Sequence, residues 1–277
     1  MIAFPNAKIN LGLDILRRRP DGYHDIATVM YPVPWTDILE IVPSSGAETT
    51  LTVTGREVAC EPERNLVMKA YRALNEIVEL PPVNIHLHKI IPDGAGLGGG
   101  SADAAFTLTT LNTMFSLDLS QETLAEVAAT LGADCPFFIY NTPMLCTATG
   151  TVMSPFPISL TGMIVAIIKP PVSVPTAAAY AGVTPCEPAT PLQDALTGTP
   201  KEWGTRVANA FEVSVFEAFP RIREIKKQLI ATEPDYCSMS GSGSSLYALY
   251  NNKVEADNLS RQLKQLFADC NIFVGSL

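Results

Sequence analysis

The sequence has 277 residues, 47% of them hydrophobic and 17% charged, which allows a sizeable core and excludes wholesale disorder. Nineteen basic residues against 28 acidic ones leave a net charge of −9, so a nucleic-acid surface built on a basic stripe is excluded. An anionic ligand would have to be held by local devices: loop amides, helix N-termini and a few placed lysines. The opening residues lack the basic head and apolar stretch of a signal peptide, and no apolar run reaches membrane-spanning length. Six cysteines without a C-x-x-C pair read as reduced thiols, and the expected location is cytoplasmic.

Along the chain, Ile9, Leu11, Leu13 and Ile15 alternate with Lys8, Asn10, Gly12 and Asp14, which predicts a strand with one apolar face. Residues 17–22 read as a hairpin turn and 24–33 as the returning strand. Strands are predicted at 38–42, 50–53 and 83–87. A helix is predicted over 65–78, with Asn65 as its N-cap. A glycine-rich loop then leads into a helix ending near Phe115, and Ser120 caps another that ends near Leu131. Further on, the sequence predicts a strand at 163–169, a Pro/Thr-rich mobile loop over 170–200, and helices near 205–219 and 220–231. It ends with a strand at 246–250, a helix at 254–267 and a strand at 272–274. Strands and helices that do not alternate strictly argue for an α+β fold with two lobes.

The strongest motif is Gly94-Ala-Gly96-Leu-Gly98-Gly99-Gly100-Ser101, between a strand and a helix. Glycines at this density let the backbone approach a ligand and turn N–H groups inward, and the following helix adds its positive end. A tight turn alone needs one or two glycines, so an anion site is the better reading. A Walker A loop would need lysine where Gly100 stands. The dinucleotide fingerprint matches in letters, but the acidic residue about 20 positions on, Asp118, lies between two helices rather than at a strand end.

Other residues carry weaker signals. Lys8 and Asn10 share a strand face, and on local grounds Lys8 alone reads as a solvated edge. Asp134, before Cys-Pro and an aromatic run, fits either an N-cap or a general base. His86 and His88 share a strand face without a third ligand candidate, so they read as structural and no metal site is expected. Lys89 stands where it could reach a bound phosphate, and Ser240-Gly-Ser-Gly243 is a second, weaker loop.

Together, Ala7-Lys-Ile-Asn-Leu11, Arg19-Pro-Asp-Gly-Tyr-His24, Gly94-Ala-Gly-Leu-Gly-Gly-Gly-Ser101, Leu131-Gly-Ala-Asp-Cys-Pro-Phe137 and Ser240-Gly-Ser-Gly243 resemble the GHMP kinases over nearly the whole chain. The Asp-Gly-Tyr-His turn and the Leu-Gly-Ala-Asp segment resemble most the branch that acts on a cytidine diphosphate derivative of methylerythritol. The resemblance implies a two-lobed fold, with an N-terminal α+β lobe over 1–155 and a ferredoxin-like C-terminal lobe over 156–277. It implies phosphoryl transfer from ATP to the 2-hydroxyl of that small-molecule substrate, with Mg²⁺ as cofactor. Asp134 would be the base, and Lys8 would pair with it and stabilise developing charge. Lys89, Gly94, Gly96, Gly98, Gly99, Gly100 and Ser101 would hold ATP, with Asn65 the one candidate for its adenine.

Asn10 would position the substrate, Tyr23 and Tyr180 would sandwich the cytosine, and His24 and Thr176 would complete its pocket. A monomer or weak homodimer without nucleic-acid or membrane partners is expected. Asp93, Ala177 and Ala210 depart from the family pattern without touching Lys8 or Asp134. Three rivals stay open: another small-molecule kinase of the superfamily, a non-catalytic sensor on the same fold, and a dinucleotide oxidoreductase.

Overall fold

A computed structural model describes residues 1–58, 60–251 and 253–277. Strand β1 (Ile2–Ala3) precedes a long hairpin, β2 (Asn6–Arg18) and β3 (His24–Thr36). Next come β4 (Ile38–Pro43), β5 (Thr50–Gly55), a 3-10 turn (Pro62–Arg64), α1 (Leu66–Asn75), β6 (Val83–Lys89) and α2 (Gly99–Met114). They are followed by α3 (Gln121–Leu131), α4 (Cys135–Tyr140), β7 (Met144–Thr147), β8 (Val152–Pro155) and β9 (Ile164–Lys169). Short helices α5 (Thr176–Ala181), α6 (Leu192–Ala195) and α7 (Pro200–Trp203) lead to α8 (Glu212–Ala218) and α9 (Pro220–Ile230). The last elements are β10 (Tyr236–Met239), β11 (Leu246–Tyr250), α10 (Ala256–Leu266) and β12 (Asn271–Ser276).

Packing divides the chain into two compact units, each gathered from separate stretches. One comprises Met1–Ala7, Trp35–Asp93 and Gly98–Thr142; the other Lys8–Pro34, Gly94–Leu97 and Pro143–Leu277. This interleaved division differs from a single cut near residue 155. The reason is that β7 pairs back onto β3 and β8 onto β7, so the chain returns to its N-terminal hairpin.

The first unit holds a sheet in the order β1-β4-β6-β5, in which β5 runs parallel to β6 and the other pairs are antiparallel. Helix α1 packs on α2, and α3 on α4. Asn65 caps α1 by accepting from the Val67 N–H at 2.9 Å, and Ser120 caps α3 by accepting from Thr123, as the sequence predicts.

In the second unit, β2, β3, β7 and β8 form one sheet, and β10-β11-β9-β12 form another that is antiparallel throughout. With α9 between β9 and β10, and α10 between β11 and β12, the second sheet has the ferredoxin-like βαββαβ arrangement. Ala166, Ile168 and Ala248 of the sheet share a buried core with Ile222, Ile225 and Leu229 of α9 and Leu259 and Leu263 of α10. Among the described residues no helix is long and apolar enough to cross a membrane.

Three local expectations are corrected. β2 is buried on both faces over most of its length, so Lys8, 3% exposed, is no solvated edge. The helix expected over 205–219 begins only at Glu212. Residues 208–210 are committed elsewhere: Leu13 N–H donates to the Ala208 carbonyl and Ala210 N–H to the Leu13 carbonyl. Asn209, 2% exposed, donates from Nδ2 to the carbonyls of Met239 and Gly241 and accepts from the Phe211 N–H, in competition with a helix. The Pro/Thr-rich stretch carries α5 and α6, anchored by buried Val174, Ala179, Leu192 and Ala195.

Candidate active site

The glycine loop has the backbone its composition predicts. Gly94, Gly96 and Gly98 adopt φ of +59°, +73° and +72°, a region that a side chain makes costly. Gly96 has a second reason to lack a side chain, since a Cβ there would lie 2.0 Å from the Ser240 carbonyl oxygen. Gly98 is the N-cap of α2, so the N–H groups of Gly99, Gly100 and Ser101 have no partner within the helix. These amides and the helix dipole make an anion-binding end. The second loop buttresses the first: Ser240 Oγ donates to the Gly96 carbonyl at 2.8 Å, and the Ser245 N–H to the Ala95 carbonyl at 3.2 Å.

Lys89, at the end of β6, is 2% exposed and lies between two carboxylates. Its Nζ donates to Asp103 Oδ2 at 2.7 Å and to Asp37 Oδ2. Asp37, itself fully buried, also accepts from the Ile90 and Ile91 N–H groups. Burial works against the Lys89 charge, but Asp103 and Asp37 outweigh it and hold the ammonium above its ordinary value. Burial pushes the Asp103 carboxyl up to about 8, opposed by Lys89. Asp93, the residue that departs from the family pattern, is also pushed up by burial.

The Lys89 ammonium, the cation expected to reach a bound phosphate, is thus paired with two buried carboxylates of the protein. It remains at the head of α2, where a Cβ on Gly99 would lie 3.4 Å from Nζ. A cavity of about 200 Å³ is lined by Arg64, Asn65, Leu66, Lys89, Gly100 and Asp103.

In the second unit, Lys8 Nζ donates to Asn10 Oδ1 at 2.6 Å, and the Lys8 N–H to the Leu97 carbonyl at 2.9 Å. Asn10, expected to position substrate, accepts from Lys8 on its side-chain Oδ1 and donates from Nδ2 to Thr28 Oγ1 at 3.0 Å. Asp134, in the first unit, occupies the residue before α4, but its side chain makes no capping bond. The merely structural reading of this aspartate as an N-cap thus loses its support. Next to it, burial pushes the Cys135 thiol up to about 11, partly offset by a hydrogen bond with Ser101.

Tyr23, His24, Thr176 and Tyr180 line one cavity of about 920 Å³, together with Arg18 and Thr149. Thr176 and Tyr180 sit at i and i+4 of α5, hence on one helix face. The tight turn before β3 is set by the Arg19 N–H donating to the Tyr23 carbonyl and the Tyr23 N–H to Asp21 Oδ1. Asp25 is held below the usual carboxylate range, first by its hydrogen bond from Arg17 and then by Arg19.

The rings of this cavity differ in their surroundings. The ring stacked on Tyr180 is His24, at 5.0 Å between centroids and 21°, while Tyr23 is 68% exposed. Position explains this: His24 is the first residue of β3, whereas Tyr23 still belongs to the turn. Phe211 meets Tyr180 edge-on at 4.8 Å and supports it from another side.

His86 and His88 both hydrogen-bond Thr54 Oγ1, at 2.8 and 3.0 Å, in keeping with a structural role. Sequence reasoning missed Asp37, Asp103 and Thr28. Asp37 separates two strands with no motif around it, and its partner Lys89 is 52 residues away. Asp103 lies two residues past the quoted glycine loop and has no local feature to mark it.

Comparison with known proteins gives the same outline. Residues 65–142 match the model of the GHMP kinases N terminal domain, and residues 192–269 that of the GHMP kinases C terminal. A 4-diphosphocytidyl-2-C-methyl-D-erythritol kinase of Parabacteroides distasonis is 47% identical over 277 residues, covering 100% of both chains. One of Bacteroides thetaiotaomicron is 50% identical over 252 residues, covering 90% of this chain and 92% of the relative. A crystal structure of 4-(cytidine 5'-diphospho)-2C-methyl-D-erythritol kinase superposes with a TM-score of 0.82 at 30% identity, covering 100% of this chain and 98% of that one.

Proposed function

The chain belongs to the 4-diphosphocytidyl-2-C-methyl-D-erythritol kinase family of GHMP kinases, and from that premise we propose how its residues perform the reaction. The enzyme transfers the γ-phosphoryl group of ATP to the 2-hydroxyl of 4-diphosphocytidyl-2-C-methyl-D-erythritol, giving the 2-phosphate and ADP. An O–P bond forms at the alcohol, the bond to the β-phosphate oxygen breaks, and Asp134 takes the hydroxyl proton. Such transfer asks the protein mainly for positioning and electrostatic stabilisation.

Lys8 supplies positive charge to the transferring group, and its bond to Asn10 restricts where that charge points. The amides of Gly94 to Ser101 and the head of α2 hold the phosphates. Lys89 acts through structure: tied to Asp37 and Asp103, it holds the head of α2 against the end of β6. The cavity beside Asn65 and Gly100 has room for part of the nucleotide. Mg²⁺ supplies neutralisation of the phosphate charge when bound.

The observation that carries the substrate assignment is the 920 Å³ cavity. Its wall brings Tyr23 and His24 together with Thr176 and Tyr180 from a segment about 150 positions later, offering stacking surfaces and hydrogen-bonding groups to a cytosine. A pocket that hydrogen-bonds a base edge discriminates strongly, since a wrong base leaves buried polar groups unpaired. The enzyme is read as a cytoplasmic monomer or weak homodimer, and its net charge of −9 speaks against nucleic-acid partners.

An ADP-release assay tests the assignment, with the cytidyl substrate set against homoserine, mevalonate and galactose. Turnover confined to the cytidyl substrate is expected. Preference for any of the others would overturn it.

A further inference from the structure

The geometry points to Ser240 as a positioning residue that fixes Lys8 through Asn10 and ties that lysine to the 94–97 segment of the phosphate loop. The inference rests on the reading of Lys8 as the catalytic cation. All the groups involved belong to the second unit.

Every backbone and side-chain polar group of Asn10 is engaged. Its N–H donates to Ser240 Oγ at 3.3 Å, and its carbonyl accepts from the Tyr247 hydroxyl at 2.9 Å. Its Oδ1 accepts from Lys8 Nζ at 2.6 Å, and its Nδ2 donates to Thr28 Oγ1 at 3.0 Å. Thr28 Oγ1 in turn donates to the Gly12 carbonyl at 2.6 Å. An asparagine held at four points has one rotamer available, so Oδ1 is a fixed acceptor for the ammonium. Lys8 has a long flexible stem that is costly in rotamer entropy to order, and a fixed acceptor helps to keep its charge in one place.

Ser240 is the member of this set that reaches the loop. A hydroxyl has one proton to give, and the Gly96 carbonyl at 2.8 Å takes it in preference to Asn10 Oδ1 at 3.4 Å. Its lone pairs then receive the Asn10 N–H. One fully buried oxygen therefore bridges the phosphate loop and the residue that aims Lys8. The bridge is tight on both sides, since a Cβ on Gly241 would come 3.3 Å from Asn10 Oδ1 and one on Gly96 would strike the Ser240 carbonyl. Asn209 holds the second loop from behind through the Met239 and Gly241 carbonyls. Displacement of the loop by a ligand would thus be felt at the Lys8 side chain through Ser240 and Asn10, besides the backbone bond from Lys8 N–H to the Leu97 carbonyl.

The test uses the full chain in single-turnover assays with ATP and the cytidyl substrate, alongside thermal melts. Ser240→Ala is expected to lower kcat about ten- to a hundredfold, the scale on which small misplacements act, with the KM of the cytidyl substrate little changed. Asn10→Ala should fall by a similar factor. The double variant should be no slower than Asn10→Ala alone, because both changes act through one acceptor. Near-normal kcat in a folded Ser240→Ala, or losses that multiply in the double variant, would overturn the inference.

Should Ser240→Ala fail to fold, Thr28→Val removes the other anchor of the Asn10 amide and carries the same expectation. Lys8→Met separates the two readings. If it is inactive while Ser240→Ala turns over normally, only the role of Ser240 falls. Near-normal turnover in Lys8→Met would overturn both.

Discussion

Lys89 and Asp103 meet through a hydrogen bond of 2.7 Å between buried groups, and Asp37 closes the same ammonium from another side. One lysine between two carboxylates leaves the set short of a positive charge, and burial makes this costly. The deficit is eased at Asp103, whose carboxyl burial pushes up to about 8.

The stability of the protein should register that titration. Folded Asp103, near 8, holds its proton more tightly than an unfolded aspartate near 3.8, so its contribution is complete below the unfolded value. It is lost as pH rises through 8. From this group the wild type should lose stability as pH rises between about 4 and 8, by at most about 1.4 kcal/mol per pH unit, and level off above that. Asp103→Asn, which keeps an oxygen acceptor for Lys89, should flatten that slope. Urea unfolding at several pH values measures both, and an unchanged slope in the variant would reject the assignment.

Two glycine substitutions separate backbone strain from steric conflict. Gly22 and Gly96 both have positive φ, +88° and +73°, but a Cβ on Gly22 meets nothing within 4 Å. Gly22→Ala should cost about 1 to 2 kcal/mol, the conformational term alone. Gly96→Ala should cost clearly more, because its methyl would lie 2.0 Å from backbone at Ser240. It should also weaken ATP binding. Equal losses in urea unfolding would mean that the second loop yields readily.

Asp134→Asn should abolish turnover while ATP still binds, as isothermal titration with ATP would report. Removal of a general base costs on the order of a hundred- to ten-thousandfold in rate. Turnover near the wild-type rate would remove Asp134 from the chemistry.

The two tyrosines of the large cavity should behave differently. Tyr23 is mostly exposed, so Tyr23→Ala should raise the KM of the cytidyl substrate by about tenfold, the worth of one aromatic contact, with stability within about 0.5 kcal/mol of wild type. Tyr180 stacks on His24 and meets Phe211, so Tyr180→Ala should raise the same KM and also lower stability. The KM of ATP should hold in both. An equal rise in the two KM values would place the cytidine pocket elsewhere.

Much of the fold was legible before any coordinates. Alternation predicted β2, the Asn65 and Ser120 caps set the starts of α1 and α3, and contiguous glycines marked the loop before α2, because each is a property of neighbouring residues. What could not be read is of another kind. Lys8 is buried because its strand is covered on both faces, and the partners that occupy Lys89 come from Asp37 and Asp103, far apart in the chain.

Residues 208–210 pair with Leu13 rather than starting a helix, and Ser240 meets Asn10 across 230 positions. Local pattern fixes which backbone shape is cheap for a segment. Which polar groups must satisfy one another inside is settled only when distant segments are packed and water is excluded. The motif residues were visible from the chain alone, whereas the groups that hold them in place emerged from packing.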